Sequence, residues 1–232
     1  MDVPKDSTEP LDPVPRIRAG VFFTPPAPLP RGRHGLTRAD VVAAQRERLL
    51  IAATELLAAH GYVGLSTKQI CARAGASLTA FYQCFETKEE CIFEAYDRFI
   101  AVLIERLVAI TDDDEAWEEY IWALVREYFA VLRSDPVVAR AFQVEMDALG
   151  AAARERRREA LTGLAQLAYD TFELRDASRV VGMPVDAYLT VVYGIRQIAS
   201  DAIDQGDHEL ATLSIDGEAW LARFMGGEPS PT

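Results

Sequence analysis

Leu65-Ser66-Thr67-Lys68-Gln69-Ile70-Cys71-Ala72-Arg73-Ala74-Gly75-Ala76-Ser77-Leu78-Thr79-Ala80-Phe81-Tyr82-Gln83-Cys84-Phe85 carries two helix starts around a single glycine. Ser66 followed three residues later by Gln69 is a capping box, and Leu65 with Ile70 supplies the apolar staple across it. A short helix therefore begins here, with Ile70, Cys71 and Ala74 on one side. Gly75 ends it, Ala76 fills a turn, and Ser77 is placed to N-cap a second helix. In that second helix Leu78, Phe81 and Phe85 follow a spacing of three and then four, which predicts one inward stripe. Ser77, Thr79, Ala80, Tyr82 and Gln83 supply the outward candidates. Short polar groups near a helix N-terminus are what base edges in a major groove require. Alone, a capped helix-glycine-helix pattern also fits an ordinary helical hairpin.

Upstream, Leu49, Ala53, Leu56 and Leu57 recur with helical period across about 38–60, and Gly61 is placed to stop that helix. Downstream, Thr87-Lys88-Glu89-Glu90 reads as another capping box, whose helix N-terminus and Lys88 together suit a phosphate. The remainder predicts helices over about 88–110, 114–133, 136–149, 151–174, 184–206 and 212–225. Pro136 and Pro184 fall where a missing N–H is harmless, in a first helical turn. No strand-like alternation interrupts them, so the expected fold is all-α. It comprises three helices over 38–87 with the helix-turn-helix pattern of a DNA-binding domain, then a helical domain over 88–232.

Residues 1–37 read as a proline-rich leader and basic arm. Residues 1–30 hold eight of the twelve prolines and predict an extended or disordered segment that need not join a core. Arg31-Gly32-Arg33-His34-Gly35 is a flexible basic stretch that either reaches a minor groove or only links. The net charge is −12 over 232 residues, which by itself argues against a nucleic-acid partner. Its distribution argues otherwise: residues 31–88 hold eight basic and four acidic side chains, and residues 89–232 hold 13 and 28.

No segment approaches a membrane span or a signal peptide, so no membrane partner and a cytoplasmic location are expected. Cys71, Cys84 and Cys91 form no CxxC pair, and His34, His60 and His208 form no metal-ligand pattern. Neither a metal nor any other cofactor is expected. Nucleophile, phosphate-loop and dinucleotide motifs are also missing, which argues against an enzyme and against catalytic residues. A helical protein-interaction adaptor without DNA binding stays open. A thiol redox sensor is a lesser alternative, since the three cysteines read more simply as small buried hydrophobes.

Gly61-Tyr62, Thr67, Ile70, Ala74-Gly75-Ala76-Ser77, Phe81-Tyr82, Phe85 and Lys88-Glu89, in that order, make residues 46–96 resemble the DNA-binding domain of TetR-family transcriptional regulators. The resemblance implies phosphate contacts from Thr67, Tyr82 and Lys88. It implies base-edge contacts from among Ser77, Leu78, Thr79 and Ala80, with Gln83 also near the DNA backbone. Leu78 and Thr79 depart from the lysine and glycine common at those positions, and Cys84 from tyrosine or histidine. The first two departures change which bases are read.

The same resemblance implies a homodimer on a palindromic double-stranded DNA operator and repression released by a small-molecule effector. Leu189, Val192, Tyr193, Arg196 and Ala199 are expected in the dimer seam, facing Leu213, Trp220, Leu221 and Phe224. Trp117, Tyr120, Trp122, Phe129, Phe142 and Met146 are expected to line the effector pocket, although rings at helical spacing serve a core equally well. The Asp112-Asp113-Asp114-Glu115 run reads as helix capping, and residues 154–159 as a solvated helix face.

Overall fold

The computed structural model describes residues 14–27, 37–110, 116–207 and 210. It comprises α1 (Arg38–His60), α2 (Thr67–Ala74), α3 (Leu78–Cys84), α4 (Lys88–Val108), α5 (Trp117–Ser134), α6 (Pro136–Gln143), α7 (Ala151–Arg175), α8 (Ala177–Val180) and α9 (Val185–Asp204). A 3-10 turn occupies Glu145–Leu149. The fold is all-α, and no strand occurs among the described residues. None of the described helices is long and apolar enough to cross a membrane. The expected helix at 212–225, the basic stretch Arg31–Gly35 and the acidic run at 112–115 lie outside the described residues.

Side-chain caps set most helix starts. Thr37 and Asp40 form a reciprocal box at α1, and Ser66 and Gln69 form one at α2. Ser77 Oγ accepts from the Ala80 amide at 3.1 Å and starts α3. At α4 only half of the expected box forms. Thr87 accepts from the Glu90 amide, but the Glu90 carboxylate accepts from the Glu86 amide at 2.7 Å. The α2–α3 turn depends on Gly75, whose φ of 63° and ψ of 35° are left-handed. Its amide donates to Ala72 O, and the Ala76 amide donates to Cys71 O, satisfying the last carbonyls of α2.

The central element is α1, which packs against α2, α3, α4 and α6. Leu49, Leu50, Ala53 and Leu57 are fully buried at those contacts. In the larger half α7 lies along α9, α6 also meets α9, and α5 packs on α4 and α6. Two local expectations need correcting. The stretch 136–149 is not one helix, because the Gln143 carbonyl is captured by the Arg196 guanidinium and by Ser200 Oγ. The Asp147 amide then bonds Val144 O, giving the 3-10 turn. Asp176 also caps the short α8 inside a stretch expected to be irregular.

The leader is a larger correction. Residues 14–27 contain no helix but turn at 20–22, where the Gly20 amide donates to Phe23 O at 2.8 Å, and they join the core. Phe22 and Phe23 are 4 % and 2 % exposed, and Phe22 packs on Phe99 of α4 with ring centroids 5.5 Å apart. Backbone amides of this strap bond acidic side chains on both halves of the molecule. Ile17 N donates to Glu55 of α1 at 3.1 Å, Arg18 N to Asp135 at 2.6 Å, and Thr24 N to Glu47 at 3.0 Å. Arg98 stacks over Phe23 at 5.3 Å. Burying two phenyl rings offsets the ordering of a segment without helix.

Phe23→Ala removes a nearly fully buried ring and is expected to destabilise the fold by about 3–5 kcal/mol. Urea denaturation checks this: an unchanged midpoint would show that the strap is not part of the cooperative unit.

Candidate nucleic-acid interface and internal cavity

The face presented by α3 follows from its caps and its inward side. Ala80, Phe81 and Cys84 point into the core, with Phe85 just beyond the helix buried beside them. Phe81 and Phe85 stack with centroids 5.7 Å apart. Leu78, expected in the inward stripe, is instead 41 % exposed. The buried face therefore centres between Ala80 and Phe81, and Leu78 falls off its edge. Ser77, Leu78, Thr79, Tyr82 and Gln83 are all exposed, with Tyr82 at 62 %. Ala80 is the exception among the expected base-reading residues. At 6 % exposure its methyl group packs inward and has no access to a base edge.

Thr67 is the first residue of α2 and half-buried, while Lys68 beside it is exposed. Lys68 is not among the residues that the sequence places at the DNA. Its position in the first turn of α2 supplied the signal. Lys88, expected at a phosphate, is largely occupied by the protein. Its Nζ donates to Leu65 O at 2.7 Å and to Tyr62 O at 3.4 Å, and lies 4.0 Å from the Tyr62 ring centroid. The Lys88 side chain thus binds the loop after α1 to the start of α4.

Other cations of the basic segment are also spent internally. Arg46 pairs with Glu94, donates to Cys84 O and covers the Phe85 ring at 4.4 Å. Arg73 pairs with Glu55 at 2.7 Å. Arg38 and Lys68 remain exposed, so the excess of basic residues overstates the positive surface. All three cysteines are buried free thiols, and burial raises their pKa values. Suppressed thiolate character removes the footing for a redox sensor.

Within the larger half, α4, α5, α6, α7 and α9 enclose a cavity of about 430 Å³. That lies in the range of small-molecule sites, roughly 300–1,000 Å³. Its walls are mostly aliphatic, including Ile100, Leu103, Leu124, Leu161 and Ile195. Tyr120 and Phe142, two of the expected lining residues, stand on its wall. Trp117, Trp122, Phe129 and Met146 are buried, but they are not among the lining residues. Trp117 packs edge-on to Phe172 at 5.1 Å, and Phe129 packs on Tyr128 at 5.3 Å. Tyr128, another ring on these helices that the sequence offers as pocket lining, also lines the cavity, as do Arg157, Arg196 and Gln143, which no local sequence signal marks for it. Residues 154–159 are therefore not simply a solvated face: the Arg157 side chain is only 12 % exposed.

Of the expected seam on α9, Arg196 and Ala199 are buried in the protein's own interior, at 8 % and 0 % exposure. Tyr193 is 39 % exposed, Ile198 is 50 % exposed, and Leu189 and Val192 are half-buried.

The described residues thus combine a capped helix-turn-helix, its second helix exposed, with a helical body that encloses a cavity. Residues 49–95 match the family model of bacterial regulatory proteins, tetR family. Over those residues the chain is similar to the TetR family of transcriptional regulators. Solved structures resemble it in fold. The fatty acid degradation regulator FadR from Bacillus halodurans has 16% identity and a TM-score of 0.65, covering 81% of this chain and 97% of that one. A FadR from Bacillus subtilis, in complex with stearoyl-CoA, has 19% identity and a TM-score of 0.63, covering 77% and 96%. A protein from Shewanella sp. PV-4 assigned to the tetR family has 16% identity and a TM-score of 0.58, covering 72% and 93%. No curated protein matches the sequence.

The Tyr62–Glu89–Lys88 cluster steadies the helix-turn-helix and is pH-sensitive. Burial pushes the Glu89 carboxyl up, but hydrogen bonds from Tyr62 and the backbone, with the Lys88 charge, outweigh it and hold it below its ordinary 4.5. The Tyr62 hydroxyl is pushed up to about 12, chiefly by donating to that carboxylate. A depressed carboxyl pKa contributes stability above the unfolded value and loses it as pH falls through the folded one. Tyr62→Phe is expected to cost about 1 kcal/mol at neutral pH. Its difference from wild type should shrink as pH falls below 4.5, as followed by denaturation at several pH values.

Proposed function

We propose that this protein is a repressor that binds a palindromic operator as a homodimer and is released by a small apolar effector held in the internal cavity. The observation that carries the reading is the exposed polar face of α3, set by the Ser77 cap and directed outward by burial of Ala80, Phe81 and Cys84. Ser77, Leu78, Thr79 and Gln83 would face the major groove. Thr67, Tyr82 and Lys68 would meet phosphates, and Lys88 would contribute mainly by holding α4 to the loop after α1. Leu78 offers an apolar contact suited to a thymine methyl.

One helix-turn-helix reads few bases, so a twofold pair is needed for a high-affinity site. The α9 surface around Tyr193 and Ile198 is the proposed seam, together with the chain over 212–225. Release is supported by α4, which starts at the Lys88 anchor and lines the cavity from Tyr96 to Val108. A ligand preferring a different setting of α4 would shift the helix-turn-helix with it. The stearoyl-CoA bound to the Bacillus subtilis FadR supports a ligand with a long apolar part. In this reading 38–87 is the DNA-binding unit and 88–232 the regulatory unit, with residues 14–27 strapping the two together.

Fluorescence anisotropy with DNA from upstream of the chain's own gene tests the assignment. Lys68→Ala is expected to weaken binding to all sequences and reduce the salt slope by about one. Thr79→Ala should instead change preference at one base pair, by about 1–3 kcal/mol. An unaltered salt slope in the first variant and unaltered sequence preference in the second would refute these roles. Release is tested by adding cavity ligands: a ligand that binds and leaves operator affinity unchanged is not an inducer.

A further inference from the structure

Two of the cavity's three arginines, Arg157 and Arg196, stand at one end with Gln143 and Tyr128, while the third, Arg175, lies at the other end over the Tyr120 ring. Tyr96, Phe99, Leu103 and Val108 of α4 line it over roughly 18 Å at 1.5 Å rise per residue. Arg157 to Arg175 of α7 run alongside. At the Tyr96 end the wall carries Arg157, Arg196, Gln143 and Tyr128. At the other end Val108 and Leu174 are 53 % and 89 % exposed, marking the mouth. The polar end is thus the deep end.

Its groups are incompletely satisfied. Arg157 Nε, the Gln143 side-chain oxygen and the Tyr128 hydroxyl are buried without a hydrogen-bond partner. Gln143 as a residue is 4 % exposed. Arg157 forms an ion pair with Asp147, and Arg196 lies 3.8 Å from the same half-exposed carboxylate. Arg196 also donates to the Gln143 carbonyl. Two buried guanidinium groups therefore share one carboxylate that is half in solvent. Burial, with Arg196 acting on Arg157, pushes the pKa of Arg157 down, and burial likewise lowers that of Arg196. Such a pair is costly when empty and calls for an anion.

Resting on the effector reading above, we infer that the ligand is an amphipathic monocarboxylate, with its aliphatic tail along the cavity and its carboxylate at Arg157 and Arg196. Arg157 Nε and the Tyr128 hydroxyl donate to the carboxylate, and the charge of Arg196 completes its neutralisation. A thioester offers no free carboxylate to this deep end, and a coenzyme A group would have to stay at the mouth. The expected ligand is the free acid, unlike the stearoyl-CoA of the Bacillus subtilis FadR complex.

Calorimetric titration of the full chain with dodecanoic acid, 1-dodecanol and dodecanoyl-CoA tests this. The acid is expected to bind at least about tenfold more tightly than the alcohol, the margin of a charge-assisted hydrogen bond. In Arg157→Met that margin should disappear through weaker acid binding, with alcohol affinity unchanged. Equal binding of acid and alcohol by wild type overturns the inference, as does tighter binding of the thioester. The wild-type comparison decides the question even if the variant does not fold. Because binding is read without DNA, acid selectivity that leaves the operator complex intact would refute release by the ligand and leave the carboxylate site standing.

Discussion

The Glu55 carboxylate, 5 % exposed in the middle of α1, is the constraint around which the two halves assemble. A buried carboxylate must be paired and hydrogen-bonded or its burial is prohibitively costly. Here one oxygen accepts from Arg73 of α2 and the other from the Ile17 amide of the strap. Arg73 also reaches the carbonyls of Val14 and Pro15. The strap continues to Asp135, which at the same time caps α6. Acidic side chains thus fix the helix-turn-helix, the strap and the regulatory half in one arrangement.

That arrangement supplies a mechanical route between cavity and helix-turn-helix. Phe22 of the strap touches Phe99, Phe99 touches Phe142 at 5.6 Å, and Phe142 lines the cavity. The end of α1 also meets the 3-10 turn: a Cβ at Gly61 would lie 3.1 Å from Glu145 Oε2, with φ at 64°. The α1 terminus is therefore seated directly on the segment whose geometry Arg196 sets through the Gln143 carbonyl. Arg196 stands at the polar end of the cavity and at the root of that segment, so occupancy and helix placement share a residue.

The basic segment illustrates how charge counts and surfaces diverge. Its eight cations against four acids suggest a positive face. Arg46 and Arg73 instead neutralise partners inside the protein, and Lys88 caps carbonyls. The exposed face of α3 is accordingly one of short and polar side chains with no cation of its own.

The sequence by itself determined the local elements: the box at Ser66, the cap at Ser77, the left-handed Gly75, the helix boundaries near 38–60 and 88–108, and the outward set of Thr79, Tyr82 and Gln83. These depend on interactions within a few residues, which spacing encodes directly. Only the tertiary structure decided how those elements turn and pair. Leu78 faces out and Ala80 in because α3 packs on α1 and α2 through the face that carries Ala80, Phe81 and Cys84. The leader joins the core because Glu55, Glu47 and Asp135 lie where its amides need acceptors. Arg196 leaves the expected seam for the cavity, and α6 stops at Gln143, because side chains more than fifty positions away capture that carbonyl. Such long-range pairings have no signature in local period or composition, and they are what turns a chain of capped helices into a cavity connected to the helix-turn-helix.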